Sequence, residues 1–566
     1  MNQRRFVNKV GVVPQVALIV LCAVAAGVAC SADTASSDNS PASANSGGTT
    51  GVFPGSTSNA NGGSSAGAPL DPGFNGAGGT ASGGSAGAGG LPPPPPPPPE
   101  EEVEGTFLVP VATGRTVWTA NPSSGLVALV DVHSLEVQVL EAGLEPTYLA
   151  AVPNDAGSGA ALVINVGSDD ATYFRVDDGG GVEQHTIDLH SGANAWAVSS
   201  SGRWAIAWTD ASRVAAPEAT EAFQDITLLD LSTSLPQVTR LNVGYRPRQI
   251  VFNEAESFAY AVSEPSITAV ELGDHSQVLR DYEFAEAATE VTRDVSITPD
   301  GELALIRVGD SERLSVLSLQ DGAQVDVVLP AAVTDLDLAR GGTLAIAVLR
   351  DTAQLALFDV AAVQRDPEDV EIVTLNNPQV GSVSVAPDGE HAFLFTNAVE
   401  SDRLSIFDLS THEERSVALK APIKAVFSAP TGDHAIALLD PGAGSSRAGA
   451  FAVVPAAAQI SPRIQGTDAT PVSVALISEP VPRGLLTVND AATGLYGVYV
   501  IRLPELQVDF QRLLSPPIAT GIVADEGIGF VAQQHPEGRI SFVDLELGTV
   551  QTLTGFELGS QVIDGN

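Results

Sequence analysis

The fold is indicated most clearly by two stretches, ITPDGELALIRVGDSERLSVLSL at 297–319 and VAPDGEHAFLFTNAVESDRLSIFDL at 385–409. Each reads as a β-strand, a Pro-Asp-Gly turn, a second strand, a polar loop and a third strand with alternating apolar residues. Proline presets φ, aspartate hydrogen-bonds to its own backbone and glycine accepts a positive φ, so the turns at 299–301 and 387–389 favour tight hairpins. The two stretches therefore predict copies of one antiparallel β unit.

The third strand of this unit recurs at a regular spacing along the rest of the chain. Its end reads LVDV, LLDL, LFDV, IFDL or a close variant, and the ten copies end near Asp131, Asp177, Asp230, Glu271, Ser318, Asp359, Asp408, Val454, Arg502 and Asp544. The first and last copies lie 413 residues apart, which makes nine intervals of about 46 residues. Weaker turn signals occupy the place of the Pro-Asp-Gly turn at Gly114, Asp155, Gly202, Gly342, Gly432 and Gly527. The unit is thus repeated about ten times.

Four-stranded units of this length in series are typical of β-propellers, in which each blade buries its apolar faces against its neighbours. We therefore predict an all-β chain with one β-propeller domain at 106–566 and no convincing helix of ten residues. Ten blades exceed the usual four to eight. The sequence leaves open one large ring, irregular half-blades, or two smaller rings with a seam near 330–380; the lack of a linker-like stretch favours one continuous domain.

Several segments carry a family resemblance. TVWTAN ending at Asn121, LFTN at Asn397 and LTVN at Asn489 match a second strand of the Tyr-Val-Thr-Asn type, and VGYRPRQIVF at 243–252 matches the lead-in to a first strand. Over about 106–556 the repeats resemble the YVTN-type, lactonase-like propeller repeats, which are WD40-like. The resemblance implies a propeller fold and permits a hydrolase activity, but it carries no catalytic residue over to this chain.

The N-terminus has the layout of a secretory signal. Three basic residues, Arg4, Arg5 and Lys9, precede an apolar run that ends in small residues before Cys30. We predict a lipoprotein-type signal peptide at 1–29, because 27–30 (Gly-Val-Ala-Cys) resembles the lipobox of bacterial lipoproteins, which implies lipidation of Cys30. An ordinary signal or an uncleaved anchor helix of about twenty residues remains an alternative.

Residues 30–105 are expected to form a tether. The segment is rich in Ser, Gly, Ala and Pro and cannot bury enough apolar surface to offset its conformational entropy, so we predict that it is disordered. Eight prolines at 92–99 predict a polyproline II rod. A spacer is favoured over an SH3-type ligand for this run.

Charge and cysteine content exclude several classes of protein. The 566 residues include 68 acidic and 27 basic residues, for a net charge of −41, which argues against a nucleic-acid partner. Two cysteines cannot build a disulfide scaffold or a cysteine-type zinc site. Cys22 lies within the predicted signal, so Cys30 would be the only thiol of the mature chain.

No nucleotide-binding, metalloprotease, serine-hydrolase or calcium-binding motif stands in a confirming context, so we expect no catalytic residue, no metal and no cofactor. Basic residues are scarce, yet five fall where first strands begin: Arg246, Arg248, Arg293, Lys420 and Lys424. Since first strands line the central tunnel of a propeller, these residues are candidates to face an anionic ligand. Ordinary ion pairing, for example of Arg293 with Asp294 or Glu290, is the alternative.

These features predict a lipid-anchored, exported β-propeller that acts as a binding or scaffolding module of the bacterial cell envelope. Ser31 after Cys30 favours the outer membrane, at its periplasmic face or at the cell surface. The expected partners are the membrane, through the anchor, and a protein or an anionic small molecule. A propeller hydrolase resembling lactonases and a passive envelope component are the alternative functions.

Overall fold

The computed structural model describes 110–122, 124–153, 159–177, 179–214, 223–284, 293–309, 311–441, 445–479, 481–535, 538–555 and the backbone of 562–564. The predicted signal peptide at 1–29, the tether at 30–105, Cys30 and the turn at Asp155 lie outside these residues. The described residues belong to one compact unit.

Each repeat folds as a meander of four antiparallel strands, and the third strand ends within a residue or two of the position that its sequence motif predicts. Apolar residues fill the second and third strands, which lie in the middle of each sheet, whereas the fourth strands are largely exposed. The strands of blades 1 to 3 are β1 Val111–Thr113, β2 Thr116–Asn121, β3 Leu126–Asp131, β4 Val137–Glu141, β5 Pro146–Val152, β6 Ala160–Asn165, β7 Asp170–Val176, β8 Val182–Asp188, β9 Ala195–Val198, β10 Trp204–Trp208, β11 Asp225–Asp230 and β12 Gln237–Asn242.

The two stretches that open the sequence analysis form most of blades 5 and 7, with their hairpins at the predicted turns. The strands of blades 4 to 7 are β13 Pro247–Phe252, β14 Phe258–Ser263, β15 Ser266–Glu271, β16 Gln277–Glu283, β17 Arg293–Ile297, β18 Leu303–Val308, β19 Arg313–Ser318, β20 Gln324–Val328, β21 Asp335–Ala339, β22 Leu344–Leu349, β23 Gln354–Asp359, β24 Glu371–Thr374, β25 Ser382–Val385, β26 His391–Phe395, β27 Arg403–Asp408 and β28 Glu414–Ala418.

The least regular repeats in sequence also form complete blades. The strands of blades 8 to 10 are β29 Ile423–Ser428, β30 His434–Leu439, β31 Gly449–Pro455, β32 Arg463–Thr467, β33 Thr470–Ile477, β34 Arg483–Asp490, β35 Leu495–Arg502, β36 Gln507–Arg512, β37 Pro517–Val523, β38 Ile528–Gln533, β39 Arg539–Asp544 and β40 Val550–Thr554, with β41 Val562–Asp564 added at the edge of blade 10. No repeat in the described residues is a half-blade.

The blades close into a single ring. Ten apolar clusters each join two neighbouring blades, and one of them packs Val117 and Ala128 of blade 1 against Phe530 and Phe542 of blade 10. Blade 6 packs on both of its neighbours, so no seam separates two rings near 330–380. Within the described strands the first and last blades share no strand, so side-chain packing alone closes the ring. The fold is a ten-bladed β-propeller.

The ring has two different faces. On what we call the hairpin face, the first strand of each blade turns into the second, and neighbouring turns touch: Gly342 lies against Pro299, and Gly432 lies against Asp388. The aspartates that end many third strands accept backbone hydrogen bonds in the next turn on this face, as Asp408 does from the amides of Ser410 and Thr411. These residues of the repeat therefore serve the fold.

On the opposite face, which we call the connection face, second strands turn into third strands and each blade passes to the next. The first strands line the centre, where several of them contact the first strands of neighbouring blades. Among the described residues the one α-helix is the short turn Val360–Val363, beside 3₁₀ turns at Ala211–Arg213, Arg350–Thr352 and Ala524–Glu526. The described part of the chain contains no helix with the length and apolarity needed to cross a membrane.

Candidate functional site

The five basic residues singled out in the sequence all lie on the connection face or just inside it. Arg246 precedes β13, and Arg248 is the second residue of that strand. Arg293 begins β17 in blade 5. Lys420 lies in the connection that enters blade 8, and Lys424 is the second residue of β29.

Three of these residues converge on one glutamate. Glu264, in the loop between β14 and β15, has its Oε1 3.6 Å from Nη1 of Arg246 and 3.4 Å from Nη2 of Arg248. Nη1 of Arg293, from the next blade, donates a 3.0 Å hydrogen bond to the carbonyl oxygen of Glu264. Because Arg246 and Arg248 share a single carboxylate, this pair carries one positive charge that no described carboxylate balances.

Aromatic rings support the guanidinium groups of this cluster. The Arg246 guanidinium lies 5.5 Å from the centre of the Phe223 ring and 5.3 Å from that of Tyr245. Arg293 lies 4.3 Å from the ring centre of Phe284. Such cation–π contacts stabilise a guanidinium group and hold it in place. We call Arg246, Arg248, Arg293 and Glu264 the arginine cluster.

Local backbone irregularities orient two of the predicted residues. A β-bulge between Pro247 and Gln249 leaves Arg248 without a cross-strand partner, and a bulge between Ile423 and Ala425 does the same for Lys424. A bulge re-aims the side chain of the extra residue. The extra residue falls outside the alternating pattern of its strand, and for Arg248 the side chain reaches Glu264 in the loop between β14 and β15.

The same bulge recurs in three other blades, where sequence reasoning did not find it. It leaves Thr147, Val472 and Ile518 unpaired, and the last two side chains are 48% and 59% exposed. The signal that could have revealed them is the proline before each, at 146, 471 and 517, which matches Pro247 in blade 4. A proline at the start of a strand donates no ladder hydrogen bond and therefore favours an irregular start.

The two lysines stand apart from the arginine cluster, because they belong to blade 8, three blades beyond Arg293 in the ring. Lys420 is exposed and has a left-handed backbone with φ of 65°. Lys424 is half-buried, and its carbonyl oxygen accepts a hydrogen bond from Nδ2 of Asn397 in blade 7. The basic residues thus form two groups, one on blades 4 and 5 and one on blade 8.

Between the two faces, a pair of carboxylates joins two first strands. Oδ2 of Asp335 and of Asp337 on β21 accept hydrogen bonds of 2.8 and 2.9 Å from the amides of Val383 and Val385 on β25. These amides lie on the open edge of the neighbouring sheet, where no further strand can pair with them. Burial raises the pKa of Asp337 to about 6, although its bonds to Val385 and Leu338 act in the opposite direction.

One further group of polar residues lies on the hairpin face. Possible ligand atoms of Asp388, Glu390 and His391 lie within 4.8 Å of one another. Asp388 is already engaged, because Oδ1 accepts from the amide of Glu390 and Oδ2 lies 3.0 Å from Nδ1 of His391. The group therefore braces its own hairpin turn.

No protein-family model matches the chain, and no curated protein matches it. Solved structures that resemble it include a eukaryotic initiation factor (11% identity, TM-score 0.46, covering 71% of this chain and 96% of that one) and the dihydro-heme d1 dehydrogenase NirN (14%, 0.39, 65% and 76%). A putative 6-phosphogluconolactonase from Bacteroides fragilis is also similar (15%, 0.28, 48% and 83%). These likenesses are distant, so the blade count rests on the strand pairing of this chain.

Proposed function

We propose that the chain is an exported, lipid-anchored binding module of the bacterial cell envelope, with its binding surface on the connection face. The N-terminal sequence supports the anchor: a basic start, an apolar run and Cys30 precede a long Ser/Gly/Ala/Pro-rich tether. Several acyl chains on one cysteine attach a protein durably, which a single chain does not. Ser31 favours the outer membrane.

The observation that carries the binding function is the arginine cluster. In a chain of net charge −41, two guanidinium groups share the carboxylate of Glu264, and a third binds its carbonyl oxygen. Guanidinium groups match the planar geometry of carboxylates and phosphates. An anionic group of a partner protein or small molecule would bind here by supplying the charge that Glu264 alone does not.

The anchor is tested by fractionation and by metabolic labelling with a fatty acid in the native bacterium. Wild type and a Cys22→Ala control should label and sediment with membranes, and Cys30→Ala should do neither. A wild-type protein that is unlabelled and released into the soluble fraction would overturn the anchor without affecting the arginine cluster.

The binding surface is tested with the purified chain by calorimetric titration of citrate, of inorganic phosphate and of a short poly-glutamate peptide. We expect at least one of these anions to bind, with an affinity that falls as salt increases and drops at least tenfold in the Arg246→Gln/Arg248→Gln variant. Arg313→Gln, which removes an exposed arginine beside Asp326, is the matched control and should bind as wild type does. Equal binding by both variants would contradict the proposal.

A further inference from the structure

A cavity of about 280 Å³ opens between the outer parts of blades 8 and 9, away from the tunnel and from the arginine cluster. Its lining divides into a polar end and an apolar end. The polar end comprises Arg447, Asp468 and Gln465, and the apolar end comprises Val488, Leu495, Val508 and Phe510; Tyr499 lies in the wall between them. Its exposed lining is more polar than apolar, so a ligand that fits it has to combine hydrogen-bonding groups with an apolar face.

The shape of the cavity depends on two glycines. At Gly497 a Cβ atom would lie 2.1 Å from the Phe510 ring, so only glycine lets that ring lie across the backbone of β35. Tyr499 is then held between two rings, with its ring centre 4.9 Å from that of Phe510 and 5.2 Å from that of Phe451. Gly466 leaves space beside the Arg447 side chain. A rigid aromatic wall therefore faces an open volume, with Phe510 42% exposed.

The polar end holds one cation and one anion. Arg447 pairs with Asp468, and both side chains are more than half exposed. Tyr499 stays protonated at neutral pH, because burial and the neighbouring Asp468 carboxylate raise the pKa of its hydroxyl against the opposing effect of Arg447. The cavity thus presents donors from Arg447, an acceptor from Asp468 and no net charge.

This combination selects among ligand classes. A free anion would meet the carboxylate of Asp468, a free cation would meet the guanidinium of Arg447, and a purely apolar group would bury the ion pair without replacing its hydration. A neutral ring with adjacent hydroxyl groups avoids all three costs, because each hydroxyl both donates and accepts. Its C–H face can pack on an exposed aromatic ring. We propose that the cavity binds one uncharged pyranose unit of a saccharide.

The test is saturation-transfer NMR of the purified full-length chain with D-glucose, D-galactose, D-mannose, L-rhamnose and N-acetyl-D-glucosamine. At least one sugar should show transfer to its ring protons. The signal should fall at least tenfold in Asp468→Asn, in Phe510→Ala and in Gly466→Val, which fills the volume without requiring a positive φ.

The matched control is Asp509→Asn. Asp509 lies beside Phe510 on β36 and also pairs with an arginine, Arg502, but it does not line the cavity. This variant should bind the sugar as wild type does, and circular dichroism should show all variants folded. Loss of binding in Asp509→Asn would overturn the proposal.

The two proposed sites are distinguished by testing the variant of each site with the ligands of the other. The Arg246→Gln/Arg248→Gln variant should keep sugar binding, and Asp468→Asn should keep anion binding. Absence of transfer from all five sugars would overturn the saccharide site and leave the arginine cluster unaffected. If inorganic phosphate or phenylalanine amide binds in the cavity and none of the sugars does, the saccharide proposal is also overturned, because the cavity would then belong to another ligand class.

Discussion

The hairpin face and the connection face of the ring are built by the same repeat, yet they differ in regularity. On the hairpin face, turns at equivalent positions touch their neighbours, as Gly342 touches Pro299, and repeated aspartates cap the turns. On the connection face, bulges interrupt five first strands, and threonine, arginine, lysine, valine and isoleucine replace one another at the bulged position. Regular positions of a repeat serve packing, whereas positions that break the local pattern are where function is expected.

The largest effect should come from a glycine of the hairpin face. Gly342 has a φ of 86°, and an added Cβ would lie 2.2 Å from Cδ of Pro299 in the neighbouring blade. Gly342→Ala should therefore lower the free energy of unfolding by about 3 kcal/mol, through both backbone strain and the clash. Urea denaturation followed by circular dichroism measures the change.

The adjacent glycine provides the control. Gly341 also has a positive φ, of 65°, but an added Cβ would meet no atom within 4 Å. Gly341→Ala should lower the free energy of unfolding by only about 1 kcal/mol, because it introduces backbone strain but no clash. Equal losses at the two positions would show that contact between neighbouring turns does not constrain the hairpin face.

A smaller, pH-dependent effect is expected between the faces, at Asp337. Because its pKa is raised to about 6, above the usual 3.8 of aspartate, the folded chain binds this proton more tightly than the unfolded chain does. The resulting stabilisation is fully present below about pH 4 and is lost as the pH rises through about 6. Relative to Asp337→Asn, wild type should lose about 1 kcal/mol of stability between pH 5 and pH 7.5.

Parallel urea titrations of the two proteins at both pH values measure this difference, and subtraction removes the effect of the overall negative charge. Asp408→Asn is a suitable comparison, since backbone and side-chain hydrogen bonds lower the pKa of Asp408 to about 2 and it remains charged over this range. An identical pH dependence of wild type and Asp337→Asn would contradict the role of this carboxylate between blades 6 and 7.

The smallest effect on stability should come from the connection face. Arg248 is about half exposed, and its contact with Glu264 is solvated, so Arg248→Gln should change the free energy of unfolding by less than about 0.5 kcal/mol. The same substitution should weaken anion binding measurably in calorimetry. A loss of stability similar to that of Gly342→Ala would instead assign the arginine cluster to the fold.

Much of the architecture could be predicted from the sequence. The Pro-Asp-Gly turns and the third-strand motif marked ten repeats at the places where the third strands end, but left the blade count open. Each signal reports a local requirement: a positive φ at the glycine, or a capped turn after the strand. Five basic residues were also assigned correctly to the starts of first strands or the loops before them. Their surroundings were not predictable, because Glu264 comes from another loop of blade 4 and Arg293 from the next blade.

Only tertiary structure decided the number of rings, the convergence on Glu264 and the cavity between blades 8 and 9. Each depends on contacts between segments that are distant in sequence, and a local pattern carries no information about which surfaces meet. Closure is the clearest case, since Val117 and Phe542 lie at opposite ends of the propeller sequence and pack in one cluster. Strand, turn and repeat length follow from short-range sterics and periodicity, whereas ring closure and site assembly follow from how ten similar blades pack in a circle.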